Sequence, residues 1–124
     1  MSEIKSYKDL IIWQKGIQIV NLTYQLISGF PKDELYALSS QIKRASVSIP
    51  SNIAEGNGRQ STQSYISFVK IARGSLFELE TQIIIAKQLN FISNEEKYNE
   101  LLNLILEENK MINSFLNKLE ISKI

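Results

Sequence analysis

The side chains best suited to binding chemistry in this sequence are basic, and they lie in the middle third of the chain. Residues 41–75 contain five basic residues and one acidic residue, a net charge of +4 in a chain whose total is +1. Lysine and arginine bind phosphate oxygens, arginine through two parallel hydrogen bonds. The alternative is that these groups pair with acidic residues of the same chain or of another subunit. The candidate nucleic-acid contacts are Lys43, Arg44, Arg59, Lys70 and Arg73.

A row of polar residues accompanies two of these bases at steps of three and four. This spacing places the row on one face of a helix. One interpretation is a polar packing or interface network, because such groups satisfy each other when another helix covers them. The other is a ligand-reading surface anchored by Arg44 and Arg59. The row consists of Gln41, Arg44, Ser48, Asn52 and Glu55.

The composition argues against catalysis. The 124 residues include no His and no Cys. Their absence excludes a Ser-His-Asp triad, a thiolate zinc site, an iron–sulfur cluster and a disulfide framework. The di-metal sites of helical bundles also need Glu-x-x-His pairs. An enzyme would have to rest on carboxylates, Lys, Tyr or a metal held by oxygen ligands. We expect no catalytic residues, no metal and no cofactor.

The loop around Arg59 has the composition of a phosphate-binding loop, but not its context. The stretch Asn57-Gly58-Arg59-Gln60-Ser61-Thr62 lacks the preceding strand and the Lys-Ser/Thr of a P-loop. It therefore predicts the end of one helix followed by the N-cap of the next.

Four segments with helical periodicity must position these side chains, and none alternates as a strand does. Gly29-Phe30-Pro31, Gly56-Asn57-Gly58 and Asn90-Phe91-Ile92-Ser93 separate them. We predict helices over about residues 6–28, 33–55, 61–89 and 94–120. Short connections make neighbouring helices antiparallel, so the predicted fold is all-α, a single-domain up-down-up-down four-helix bundle over residues 1–124.

Within these helices, three details bear on the core. The pattern Ser6-Tyr7-Lys8-Asp9 predicts a capping box at the start of the first helix, and Pro50 predicts a kink in the second. Glu108 falls on the apolar row between Ile105 and Ile112. We expect it at the edge of the row or paired with a base.

The first helix carries two apolar rows, which together are wider than the contact face of a two-stranded coiled coil. We predict the first row as the main core face. That row is Leu10, Trp13, Ile17, Val20, Tyr24 and Ile27, and the second is Ile12, Ile19, Leu22 and Leu26.

One run of the second helix resembles a known family. The run Gln41-Ile42-Lys43-Arg44-Ala45-Ser46-Val47-Ser48-Ile49-Pro50-Ser51-Asn52-Ile53-Ala54-Glu55-Gly56-Asn57-Gly58-Arg59 is similar to the signature of the four helix bundle proteins encoded in intervening sequences of bacterial 23S ribosomal RNA genes. Asp9-Leu10-Ile11-Ile12-Trp13-Gln14, Phe30-Pro31-Lys32-Asp33-Glu34-Leu35-Tyr36 and Ile71-Ala72-Arg73-Gly74-Ser75-Leu76-Phe77-Glu78-Leu79-Glu80 also fit. Ala37 departs from the glycine that the family usually has there.

The resemblance implies an antiparallel bundle that assembles into a homo-oligomer, and we expect a pentamer. It also implies kinship with the accessory variability protein of diversity-generating retroelements, a basic pentamer that binds nucleic acid and a reverse transcriptase. A ring of subunits would repeat the basic residues and strengthen their field. We therefore expect a non-enzymatic protein that binds RNA or DNA. The alternative is a scaffold that docks a protein partner through Phe30, Tyr36 or Phe77.

The sequence carries no targeting or membrane signal. Residues 1–8 contain no apolar core of a signal peptide. The longest apolar run is Ile83-Ile84-Ile85-Ala86, whereas a membrane span needs about 20 residues. We expect a cytoplasmic protein with no membrane partner.

Overall fold

Four long helices form the structure. A computed structural model of the chain describes residues 4–122. Short 3-10 turns at Tyr7–Asp9 and Lys32–Glu34 precede the first and second helices, and no strand occurs within the described range. The helices are α1 (Ile11–Ile27), α2 (Leu38–Asn57), α3 (Thr62–Gln88) and α4 (Glu95–Ser122).

The helices pack in cyclic order, α1 against α2, α2 against α3, α3 against α4 and α4 against α1. In the first pair, Gly16 faces Pro50 while the Lys43 ammonium lies over the Tyr24 ring, so the two helices run in opposite directions. The prediction of an all-α up-and-down four-helix bundle is therefore confirmed. The α2–α3 and α3–α4 pairs show the same reversal in the contacts Ser48–Ser75, Gly56–Phe68, Lys70–Glu120 and Lys87–Glu95.

Apolar rows of α2 and α3 form much of the core of the bundle. Ile42, Ile49 and Ile53 of α2 are fully buried, as are Leu76 and Ile83 of α3. Burial of each large side chain contributes about 1.5–3 kcal/mol, so these rows supply much of the force that holds the bundle together.

For α1, the prediction of the core face was wrong. The second row is buried throughout, whereas Trp13, Ile17 and Val20 of the first row are half-buried and Tyr24 is exposed. The periodicity shows that two rows exist, but the positions of α2 and α4 decide which row lies between them. The buried row is Ile12, Ile19, Leu22 and Leu26.

The predicted start of α1 at residue 6 was also wrong. Ser6 and Asp9 do form a capping box, but it caps the 3-10 turn: Ser6 Oγ accepts from the Lys8 N–H at 3.2 Å, and the Asp9 carboxylate accepts from the Ser6 N–H at 3.2 Å. Leu10 is then extended, with φ −75° and ψ 129°, and its side chain is buried. The α-helix begins at Ile11 because burial of Leu10 interrupts it.

The second helix begins five residues later than predicted. After Pro31 the chain makes a single 3-10 turn, and Ala37, with φ −116° and ψ −106°, lies outside the helical region. Leu35 and Tyr36 are exposed, so no packed apolar face supports a helix there. From Leu38 onward α2 continues through Pro50 to Asn57.

Glu108 lies in the core and forms no ion pair within residues 4–122, in contrast to the prediction. Its side chain is 0% exposed, and neither carboxyl oxygen has a hydrogen-bond partner among the described residues. Lys15, whose charge acts on Glu108, pairs with Glu107 at 2.7 Å instead. Burial raises the pKa of Glu108 to about 8, an effect only partly offset by the charge of Lys15. The carboxyl is therefore mostly protonated at neutral pH.

Candidate nucleic-acid interface

The five candidate basic residues do not form one patch. Lys43 faces α1, where its ammonium lies 5.6 Å from the centre of the Tyr24 ring. Lys70 and Arg73 face α4: Lys70 Nζ lies 3.8 Å from a Glu120 carboxylate oxygen, and Arg73 Nη1 donates to Asn113 Oδ1 at 2.9 Å. Arg44 and Arg59 remain, and both adjoin the cleft between α2 and α3.

The helices α2 and α3 approach each other closely beside Arg59. A Cβ on Gly56 would lie 2.9 Å from Phe68 Cβ, so the absence of a side chain at residue 56 permits the close approach. The Arg59 guanidinium stacks 4.7 Å from the centre of the Phe68 ring and reaches Glu55 at 3.3 Å. Arg59 and Glu55 are both exposed, so this ion pair holds the guanidinium only weakly.

The loop that carries Arg59 contains the end of α2 and the N-cap of α3, as the sequence predicts. The Gly58 N–H donates to the carbonyls of Ala54 and Glu55 at the end of α2, and Ser61 Oγ accepts from the Ser64 N–H at the start of α3. These bonds fix both helix ends. Arg59, between them, is an exposed residue on an anchored loop.

A second hydrogen bond secures the end of α2. Asn57 Nδ2 donates to the Tyr65 hydroxyl oxygen at 3.0 Å. Burial raises the pKa of Tyr65 above its usual value, although the bond from Asn57 lowers it slightly. The phenol therefore stays protonated at neutral pH and acts as a structural group.

The polar row of α2 is half-buried in its middle and exposed at its ends. Ser48 Oγ and Ser75 Oγ are 2.8 Å apart across the α2–α3 contact, and Asn52 Nδ2 donates at 2.8 Å to both the carbonyl and the hydroxyl oxygen of Ser48. The network thus joins Ser48 and Asn52 to Ser75, a small residue within α3 that sequence reasoning had not assigned to it.

The other members of the row stay outside this network. Arg44 Nη1 donates to Ser40 Oγ at 2.9 Å, and Glu55 pairs with Arg59. Gln41 is exposed, and its side chain forms no hydrogen bond to any residue that the structure describes. The ends of the row are therefore open to a ligand.

Two open cavities lie along this row. The first, which we call the Gln82 cavity, has a volume of about 400 Å³ and is lined by Gln41, Arg44, Ala45, Ser48, Glu78 and Gln82. The second, which we call the Phe68 cavity, has a volume of about 560 Å³ and is lined by Tyr7, Ser51, Asn52, Ala54, Glu55 and Phe68.

One side of the Gln82 cavity carries hydrogen-bond donors and the other carries an acidic acceptor. Gln41 and Arg44 bring N–H donors from α2, and Glu78 brings a carboxylate from α3. Gln82 is only 8% exposed, yet its Oε1 accepts no hydrogen bond from residues 4–122. Sequence reasoning had found the α2 wall but not the α3 wall, since Glu78 and Gln82 become its partners only when α3 packs alongside.

Two further properties concern ligand and membrane binding. No three acidic side chains in the described range group together as a metal site would require. No helix between residues 4 and 122 is long and apolar enough to cross a membrane.

These features define an up-and-down helical bundle with a polar cleft along its second helix. The chain belongs to the family of 23S rRNA-intervening sequence proteins, whose family model matches residues 8–114. The family resemblance of the α2 run is thereby confirmed.

A solved structure agrees with this assignment. The chain is similar to a protein of unknown function from the S23 ribosomal protein family of Bacteroides thetaiotaomicron, with 27% identity and a TM-score of 0.72. The match covers 86% of this chain and 98% of that one. No curated protein is similar enough in sequence to count as a relative.

Proposed function

We propose that this protein is a non-enzymatic, homo-oligomeric bundle that binds nucleic acid, RNA or DNA, through phosphate contacts. The observation that carries the proposal is the open polar row of α2, which has Arg44 near one end and Arg59 beyond the other. From Arg44 to its last residue, Asn57, α2 rises over about 20 Å, at about 1.5 Å per residue. One strand of a duplex carries one phosphate per about 3.4 Å of axis, so a duplex lying parallel to the row would extend alongside it by about six nucleotides.

The side chains between the two arginines suit the same ligand. Serine, asparagine and glutamine donate to phosphate and sugar oxygens in many nucleic-acid interfaces. Ser51 and Gln41 are exposed on this face, and Asn52 lines the Phe68 cavity. Lys43, Lys70 and Arg73 face elsewhere, so we assign them a long-range contribution to the field rather than contacts at this cleft.

The exposed face of α3 supports self-association. Large apolar side chains recur along it, and covering them would remove apolar surface from water. We expect a second copy to cover this face, and we expect a ring of five from the family resemblance. The residues are Phe77 and Ile84, which lie seven residues apart on the side of α3 away from Glu78 and are 47% and 37% exposed.

Removal of single charges tests the binding proposal. We expect Arg44→Ala and Arg59→Ala each to weaken binding of an RNA oligonucleotide several-fold and to lower the slope of log affinity against log salt by about one. Lys118→Ala removes the same charge from an exposed position on α4 and serves as the control. Absence of RNA and DNA binding at low salt would contradict the proposal.

Sedimentation tests the oligomer. We expect Ile84→Glu to shift the protein to smaller species because it places a charge on the apolar face of α3, whereas Ser114→Glu, at an exposed position of α4, tests the effect of charge alone. Asn52→Leu should also disturb assembly more than helical content. A monomeric wild-type protein at micromolar concentration would rule out the homo-oligomer.

One observation favours the alternative of a protein-interaction scaffold. Tyr36 is 92% exposed and Phe77 is 47% exposed, so both can meet a partner. Phe30 is buried and stacks on Phe91 with ring centres 5.6 Å apart, so its predicted docking role was wrong. Binding of a defined protein that survives nuclease treatment and is lost in Tyr36→Ala would favour the scaffold.

A further inference from the structure

We infer that the Gln82 cavity receives an unpaired guanine base. This inference rests on the proposed function, because it identifies which part of a nucleic acid enters the cleft. The cavity lies on the same row as Arg44, the first of the two proposed phosphate contacts. The cavity has a volume of about 400 Å³ and is open to solvent.

The two walls of the cavity match the two edges of guanine. Glu78 and Gln82 are four residues apart on α3 and therefore lie on one face of that helix. The Glu78 carboxylate offers two acceptor oxygens side by side, which suits the neighbouring N1–H and N2–H donors of guanine. Across the cavity, the Arg44 guanidinium suits the O6 and N7 acceptors.

The other bases match the cavity less well. Adenine carries an amine but no adjacent ring N–H, and cytosine likewise presents one amine donor beside an acceptor nitrogen. Uracil has a single ring N–H between two carbonyl oxygens, which would face the carboxylate unfavourably. Guanine alone presents two neighbouring donors to a carboxylate and two neighbouring acceptors to an arginine.

Gln82 provides independent support for a ligand at this position. A buried acceptor without a donor is costly, and native proteins satisfy most such groups. The side chain of Gln82 lines the cavity, so a change of rotamer that moves the whole amide into the cavity would bring Oε1 within reach of a ligand. A ligand with a spare amine hydrogen, as on N2 of guanine, would then donate to that oxygen.

The experiment uses a fluorescent nine-nucleotide RNA with one central guanine among uridines, together with versions carrying inosine or adenine at that position. Inosine lacks only the N2 amine. We expect fluorescence anisotropy to show binding weaker by about tenfold or more for adenine and by a smaller factor for inosine. A DNA oligonucleotide of matching sequence and free GMP against AMP identify whether the base is read from RNA, from DNA or as a nucleotide.

Two variants link the preference to the cavity. Glu78→Gln replaces one carboxylate oxygen by an amide NH2 group, which cannot accept a hydrogen bond from guanine. It should therefore abolish the preference for guanine, and the fold should be kept because residue 78 is exposed. Glu100→Gln makes the same change at an exposed position of α4 and should leave the preference intact.

The outcomes separate this inference from the proposed function. Equal, salt-dependent binding of all three RNAs would overturn the guanine site and leave phosphate binding standing. Binding of GMP over AMP, lost in Glu78→Gln, with no oligonucleotide bound, would support the site and overturn the proposed function. Absence of binding to every probe would overturn both.

Discussion

The bundle contains two polar regions that differ in how their hydrogen bonds are met. At the α2–α3 contact, Ser48, Asn52 and Ser75 bond to one another beside solvent. In the core, Glu108 is completely enclosed and has no partner among the described residues. A hydroxyl or amide at a half-buried contact is satisfied by one neighbour, whereas a carboxyl in the core must give up its charge. In this bundle, hydrogen bonds therefore satisfy the polar groups at the α2–α3 contact, whereas Glu108 is accommodated in the core because its carboxyl is protonated.

Of the variants that test this comparison, Glu108→Gln has the largest expected effect. The folded-state pKa of Glu108 is about 8, above its usual value of 4.5, so the folded state binds more protons between these pH values. Stability therefore falls as pH rises through this window, by about 5 kcal/mol in total. Glutamine does not titrate, so the variant should lack this loss.

Urea unfolding at pH 5, 7 and 9, at one fixed protein concentration, measures the effect. Glu100→Gln, at an exposed residue of the same helix, is the control. Parallel pH profiles for wild type and Glu108→Gln would show that Glu108 is ionised in the folded state.

A second test compares two glycines of the α2–α3 pair. Gly56→Ala would place a Cβ 2.9 Å from Phe68 Cβ and 3.0 Å from Tyr65 Cδ1, so we expect a loss of about 1–3 kcal/mol. Gly74→Ala meets nothing within 4 Å and should gain up to about 1 kcal/mol from helix propensity. Thermal unfolding of both variants checks the prediction, and equal effects would mean that the contact is looser than 2.9 Å.

The smallest expected loss of stability is at the hydrogen bond between Ser48 and Ser75, at the α2–α3 contact. Ser48→Ala and Ser75→Ala should each cost about 1 kcal/mol, because one hydrogen bond is lost at a half-buried site. In a double-mutant cycle the two changes should couple by about 0.5–1 kcal/mol. Additive losses in urea unfolding would show that the hydroxyls bond to water instead of each other.

Much of the fold followed from the sequence because its signals are local. The predicted ends of α3 and α4 lie within two residues of those observed, since apolar periodicity and capping residues act within one helix. The starts of α1 and α2 were wrong because burial of Leu10, and the lack of packing at Leu35, depend on distant parts of the chain.

The candidate site was less predictable for the same reason. The polar row of α2 was visible as a spacing, but its α3 wall, formed by Glu78 and Gln82, was not. The five bases looked like one group because they are close in sequence, yet they face three different directions. A helix turns by 100° per residue, so neighbours along the chain point to different sides.

The sequence by itself determined four helices, an all-α fold and the family, because each rests on residue types recurring at fixed steps. Only the tertiary structure decided that Glu108 lies in the core opposite Gly16 and that Arg44 shares a cavity with Gln82. The physical reason is that burial and hydrogen bonding depend on which helix lies alongside. That choice is made by the packing of all four helices together, not by the residues of any one.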